Sequence, residues 1–454
     1  MVSITAYGGV NEIGGNKFLL EDKGARIYLD FGQSFDFGDE YFYEYLAPRP
    51  VNGLEVYFEF GLMPRVPRLY GKDMLALTDM KYEKPDIDGV FISHSHSDHT
   101  NHLPFLDETI PVYMGHGTHR ILEIYHALYS SLCTIGEHTD LRFFKSGDKI
   151  KIKHLLVEPI HVEHSIPGAY GFIIHTSKGA VVYTGDFRMH GPQCAMTQEF
   201  IEKAAKAKPY ALLIEGTRMG YDVEHNNTEA EVEEKADAIV KASKGIVFAY
   251  FSMSNVDRFL SFYHAAVKNG RKLVVDTKFA YVLDCLKDKI PALPDVMKDD
   301  NILVYFRLSK TGNFEEKDYY KYERKFIPKM ITYKEISKNQ NKFVMHMSFY
   351  KLMELCYIKP KNADYVYSSS EHFLEGEDKK AEKEVLENWM RHFKVKFHKD
   401  VHCSGHASKQ DLEEVVRRIN PKVLIPIHTQ NAEDFKKIHP NVILLKKNEK
   451  TEIG

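Results

Sequence analysis

The sequence predicts an α/β protein of two or three domains, on three observations. From residue 228 the chain reads "TEAEVEEKADAIVKAS", "GIVFAYFS", "NVDRFLSFYHAAVKNG" and "KLVVDT", a helix–strand–helix–strand alternation that signals a parallel sheet. The first 35 residues read instead as short strands, "VSITAYG", "KFLLE" and "ARIYLDFG", separated by glycine or charge. The length, 454 residues at 43% hydrophobic content, exceeds what one ordinary core needs.

The elements follow in order. Residues 36–86 are rich in aromatics, proline and glycine without a clean period. They are expected to form a long ordered loop with short helices, either a plug over the core or a lid or dimer contact. "GVFIS" is a strand, and "GTHRILEIYHALYSSL" has the i, i+3, i+4 apolar spacing of a helix. "GFIIHT" and "AVVYTGD" form a hairpin across "SKG". "TQEFIEKAAKAK" is an amphipathic helix, its threonine (Thr197) an expected N-cap, and "YALLIEG" is a buried strand. Residues 286–340 are charged and less regular, and "KFVMHM" and "ADYVYSSS" resume the strands. The chain closes on helix "KQDLEEVVRRI" and strands "KVLIPIH" and "NVILLK".

Composition narrows the function classes. Net charge is −3 with 28% charged residues, so neither a disordered chain nor a strongly basic protein is implied. A nucleic-acid partner needs a local basic groove. The five cysteines (Cys133, Cys194, Cys285, Cys356 and Cys403) show no C-x-x-C spacing, which argues against a disulfide framework and fits a reducing cytoplasm. The opening "MVSITAYGGV" has no leader pattern, and no apolar run reaches bilayer length. A cytoplasmic protein with no membrane partner is expected.

Chemistry concentrates in "FISHSHSDHT". A strand ends at His94, and alternation puts His94, His96 and Asp98 on one side of an extended stretch, with His99 directed elsewhere. Asp186 in "YTGDF", Glu215 in "LLIEG" and His428 in "IPIHTQ" each stand just past a buried strand, and His164 lies in "HVEHSIPG". A lone acid or histidine at a strand end is usually a cap. Several, together with the histidine cluster, indicate a site at the carboxyl ends of strands. Five histidines and two aspartates suffice for two metals sharing one aspartate, and imidazole with carboxylate suits zinc, with manganese as the alternative. Such a pair can supply a nucleophilic water and stabilise in-line displacement at phosphorus.

"HSHSDH", "HSIPG", "TGDFR" and "PIHT", in this order with Asp30 in "LDFG", resemble the metallo-β-lactamase superfamily. "LLIEGT" with Glu215, "CSGHASKQDL" with His406, and His428 resemble its β-CASP nucleic-acid-processing branch. "GGVNEIGGNKFLL" is similar to ribonuclease J and its archaeal-type relatives. The resemblance implies a metallo-β-lactamase αββα sandwich from 1–210 and 406–454, with a β-CASP domain inserted at 211–405. It implies one zinc on His94, His96 and His164, a second on Asp98, His99 and His428, and Asp186 between them. Asp98 and Glu215 would join His406 in catalysis, His406 as general acid and Glu215 orienting it, while Asp30 would hold the histidine loop without touching metal. His161 competes with His164, and the "HSIP" context favours His164.

Ser254 and Asn255 in "FSMSNVDRF" would meet substrate phosphates or simply cap the next helix, and the amides of Ser404, Gly405 and Ala407 would cradle a phosphate. The implied activity is RNA hydrolysis leaving 5′-phosphates, as a 5′-to-3′ exonuclease in RNA processing or decay. Histidine at 428 marks RNA-acting members, whereas glutamate at 215 is more typical of polyadenylation-type endonucleases than of ribonuclease J. A DNA nuclease, another hydrolase of the superfamily and a homodimer stay open. "VYFRLSKTGNFEEKDYYKYERKF" (304–326) mixes basic and aromatic residues, as base stacking with phosphate contact requires, or as a solvated helix face would.

Overall fold

In a computed structural model, which describes residues 1–129, 140–221, 227–370 and 380–453, the chain divides into two units. The first comprises Met1–Met189, Gln193–Glu224 and Gly405–Gly454, and the second His190–Pro192 and His225–Ser404.

Strand alternation builds the first unit. Its first sheet holds seven strands, running from Lys450–Glu452 through Ser3–Gly8, Lys17–Asp22, Ala25–Leu29, Gly89–Phe91 and Val112–Gly115 to Leu141–Phe144. Its second holds six, from Val423–Ile427 through Ala211–Glu215, Gly179–Tyr183, Tyr170–Thr176 and Leu155–His161 to Ile150–Ile152. Phe18, Leu20, Ile27 and Phe91 of the first sheet meet Phe172, Ile174, Val181 and Leu213 of the second in one buried layer. Their neighbours face outward. Leu19, Tyr28 and Val90 pack beneath Leu54, Phe58, Leu69 and Tyr70, so the aromatic segment 36–86 plugs the core through this stretch. Ile173, Val182 and Leu212 pack beneath helices Cys194–Lys206 and Lys409–Ile419 through Phe200, Ile201, Leu412 and Val416. The outcome is the αββα sandwich. Each fully buried Leu, Ile or Phe contributes about 1.5–3 kcal/mol to it.

The structure corrects four local expectations. Thr197 caps nothing: the helix begins at Cys194, where Glu163 accepts the Gln193 N–H at 2.9 Å, and Thr197 Oγ1 donates instead to the Arg188 carbonyl. "NVILLK" is no strand. It touches the second sheet at Leu424 and then crosses to the first, where Lys447 bridges Ala6, so it cannot keep one register. Extended alternation stops at His96, because Ser97–Thr100 turns helical and swings Asp98 away from His94 and His96. The strand Ala211–Glu215 pairs on both sides within the second sheet, which keeps it in the first unit although a boundary at 211 would assign it to the insertion. The helix read as 117–132 spans His116–Leu128, and Cys133 lies outside the described residues. Among the described residues Cys194, Cys285, Cys356 and Cys403 form no disulfide. Among the described residues no helix is long and apolar enough to cross a membrane.

The second unit is built on a fully parallel seven-stranded sheet. Its order is Met330–Ile331, Ile302–Tyr305, Lys272–Asp276, Phe343–His346, Val247–Tyr250, Asp364–Tyr367, Lys396–His398. Inside it Arg258 is fully buried and donates to Glu229 at 3.0 Å, to Ser368 at 2.7 Å and to the Cys403 carbonyl at 3.3 Å. Removing one partner of a buried pair strands the other charge. Arg258→Ala is therefore expected to cost about 3–5 kcal/mol in urea denaturation, against well under half that for substituting an exposed arginine.

Candidate metal centre

Two groups of metal-binding side chains converge at the strand ends of the first unit. His94, His96 and His164 form one, and Asp98, His99, Asp186 and His428 the other; within each group the donor atoms lie within 4.8 Å of one another. Six of the seven are buried. His94 and His96 leave the strand Gly89–Phe91, and Asp98 and His99 the helical turn after it. Asp186 follows Gly179–Tyr183, and His428 follows Val423–Ile427 with a left-handed backbone (φ 51°). The His99 turn and the chain after Asp30 pack so closely that a Cβ on Gly32 would sit 1.8 Å from the Asp98 carbonyl oxygen.

Hydrogen bonds decide which nitrogen each imidazole presents. His164 Nδ1 donates to the Gly405 carbonyl at 2.6 Å, so its Nε2 lone pair points at His96 Nδ1, 3.1 Å away. His94 Nε2 lies 3.0 Å from the same His96 nitrogen. Burial pushes all three imidazoles down, His96 to about 4, so they are neutral with lone pairs crowded together. Three such nitrogens repel unless a cation sits among them. In the second group Asp30 fixes His99: its carboxylate takes His99 Nδ1 at 2.7 Å, Ser93 N–H at 2.7 Å, Ser93 Oγ at 2.8 Å and Tyr183 OH at 2.5 Å. His99 Nε2 then faces Asp186 Oδ2 at 3.1 Å. His428 is anchored by Thr217 Oγ1 at 2.8 Å and meets Asp98 Oδ2 at 2.9 Å. Burial opposes charge on His99 and His428, yet the surrounding carboxylates of Asp186 and Asp98 hold both above the usual imidazole range. Asp186 Oδ1 is buried and has no hydrogen-bond partner among the described residues. A cluster that draws in positive charge and leaves a carboxylate oxygen unsatisfied fits divalent cations.

His406 stands beside this cluster. Its Nδ1 lies 3.2 Å from Glu215 Oε1 and 3.8 Å from Asp186 Oδ2. Burial works against its proton, but Glu215, then Asp186 and Asp98, raise it to about 9. His161 lies outside both groups, half-buried against the Tyr170 ring at 4.3 Å. Asn255 caps the helix Val256–Lys268 through Oδ1, which accepts the Arg258 N–H at 3.0 Å, and Ser254 Oγ pairs with Ser252 Oγ at 2.9 Å. Ala407 is fully buried, the Gly405 carbonyl is taken by His164, and the Ser404 carbonyl by His190 Nε2 at 2.9 Å. Sequence reasoning missed Ser93, Tyr183 and Thr217. Tyr183 ends a buried strand and reads as core, so nothing in its pattern distinguishes it.

Residues 66–248 match the Beta-lactamase superfamily domain, and residues 390–437 the Zn-dependent metallo-hydrolase RNA specificity domain. The chain therefore carries a domain of the metallo-β-lactamase superfamily over residues 66–248. Within that superfamily it is similar to ribonuclease J of Helicobacter pylori, at 24% identity over the whole chain and 61% of the relative. It is also similar to ribonuclease J2 of Bacillus subtilis, at 25% identity over 99% of the chain and 75% of the relative. The chain thus spans less than two thirds of the length of the Helicobacter relative. A crystal structure of a protein of unknown function from Enterococcus faecalis V583 shares the fold, with TM-score 0.77, 22% identity and 99% coverage of both chains.

The Asp30 contacts carry a direct consequence for this centre. Asp30→Asn keeps the shape and tolerates the left-handed backbone (φ 58°), but loses the charge that holds His99. Zinc affinity in a competitive chelator titration should fall by about 10- to 100-fold.

Proposed function

We propose that this chain is a metal-dependent ribonuclease of the ribonuclease J type, a 5′-to-3′ exonuclease using two zinc ions. The observation that carries it is the pairing of two convergent donor groups with His406, which Glu215 holds protonated next to them. His94, His96 and His164 would hold one ion, Asp98, His99 and His428 the other, and Asp186 both. When bound, the ions supply electrophilic contact to phosphate oxygens and a nucleophile at neutral pH.

The chain's own residues do the rest. Asp30, Thr217 and the Gly405 carbonyl orient His99, His428 and His164. Glu215 accepts His406 Nδ1–H, and Nε2–H would protonate the departing 3′-oxygen, so that the phosphate stays on the 5′ end of the downstream product. The RNA specificity domain match and the relatives named ribonuclease J support RNA as substrate.

The test is one labelled RNA carrying 5′-monophosphate, 5′-triphosphate or 5′-hydroxyl, beside a DNA of the same sequence, with zinc or manganese. Mononucleotides released from the monophosphate form alone are expected. Internal fragments from all three would make the enzyme an endonuclease. Fragments ending in 3′-phosphate, or no cleavage by metal-loaded protein, would overturn the reading.

A further inference from the structure

The segment 304–326 belongs to the second unit and has no part in the metal centre. It leaves the carboxyl end of the strand Ile302–Tyr305 and returns against helix Thr277–Leu286, which leaves the carboxyl end of the adjacent parallel strand. Ligand sites in parallel sheets collect at such ends. Burial alternates here: Tyr319 is inside, edge-on to Phe306 at 4.7 Å, and this turns Tyr320 outward to 66% exposure.

Tyr320 and Tyr322 lie with rings within 5° of parallel and 6.2 Å apart, and Tyr281 closes the row edge-on to Tyr322 at 5.4 Å. The loop beneath is held in shape. Asp318 accepts from the Thr311 and Glu315 amides, and Glu323 accepts the Tyr320 N–H at 2.8 Å. A platform ordered beforehand loses little entropy on binding.

Charge separates this surface from an ordinary solvated face. Lys317, Arg324 and Lys325 are neutralised by Glu315, Glu316 and Asp284. Arg307, Lys310 and Lys321 are exposed, and among the described residues none of them forms an ion pair with a carboxylate. Lys310 Nζ stands 5.9 Å from the Tyr320 ring centre. An aromatic row that is exposed at Tyr320 and half-buried at Tyr322 and Tyr281, with uncompensated cations in the same segment, matches alternating flat bases and phosphates.

We propose that Tyr320 and Tyr322, flanked by Arg307, Lys310 and Lys321, form a stacking platform for single-stranded RNA. This rests on the ribonuclease reading and adds to it a contact made by residues other than the candidate metal ligands. A duplex fits poorly, because its bases are already stacked on one another.

The test uses the full, metal-loaded chain and a fluorescein-labelled, phosphorothioate-linked decauridylate that resists cleavage, read by anisotropy across a salt series. Tyr320→Ala should weaken binding about tenfold, the scale of one lost base stack. Tyr320→Phe should restore it, since the ring is kept. Arg307→Ala with Lys310→Ala should make the slope of log affinity against log salt shallower by about 1.4, two phosphate contacts to a single strand. Unchanged affinity and slope in these variants would overturn the platform alone. No binding by the unsubstituted chain would overturn the platform and the ribonuclease reading together.

Discussion

His96→Ala is expected to abolish RNA cleavage and to lower bound zinc per chain, measured by mass spectrometry of dialysed protein. His96 Nδ1 is the atom on which His94 and His164 both converge, at 3.0 and 3.1 Å. Its loss opens the first donor group. The effect should exceed the roughly 10–100-fold that follows loss of a merely orienting partner, such as that predicted for Asp30→Asn. His96 packs against other histidines and not within the hydrophobic layers, so circular dichroism should show an intact fold. Full cleavage with unchanged zinc would remove His96 from the centre.

His406→Ala should give the opposite pairing: zinc retained, and turnover lower by about 100- to 10,000-fold, the range of a lost general acid. The comparison decides something the geometry leaves open, because His406 also lies within ligand reach of His164 and Asp186. Loss of zinc in this variant would make His406 a ligand. The pH profile separates the roles further. His406 is raised to about 9, so its acid form is present below that pH and is lost as pH rises through it. Activity needing that proton should decline on the alkaline side. Glu215→Gln removes the charge that raises His406 most, so the alkaline limb should move to lower pH. Stability follows the same sign: a histidine raised on folding stabilises below its unfolded value, and the gain fades as pH climbs through the folded one.

Much of the candidate site was legible because a metal-binding role demands particular side chains, here gathered at particular strand ends. His94, His96, Asp98 and His99 are contiguous, and Asp186, Glu215 and His428 each follow an apolar run that can only be a buried strand. Four strands of the parallel sheet, Val247–Tyr250, Lys272–Asp276, Phe343–His346 and Asp364–Tyr367, were legible for a similar reason: buried on both faces, they are almost continuously apolar. Ile302–Tyr305 and Met330–Ile331 lie instead in a stretch that reads as charged and irregular, and Lys396–His398 is short and partly exposed. Illegible features depended on partners distant in sequence. Tyr183 serves Asp30 across 153 positions, and Thr217 serves His428 across 211. Neither residue type is unusual at its position, so no local pattern marks it. The Thr197 cap failed because Glu163, 30 residues upstream of Gln193, already occupied that helix end. The strand at "NVILLK" failed because its apolar residues serve two sheets in turn.

The sequence by itself determined the α/β fold class and supplied the candidate donors, since periodicity and side-chain chemistry are local properties. The family resemblance implied how the seven donors divide, but only the tertiary structure brings them together, three imidazoles in one group and two carboxylates with two imidazoles in the other. That division turns on one helical turn after His96 and on hydrogen bonds that choose a nitrogen for each ring. Likewise the aromatic and basic residues of 304–326 were plain in the sequence. Which tyrosines point outward, and which cations stay unneutralised, depended on the packing of Tyr319 and on acids brought in from elsewhere in the chain.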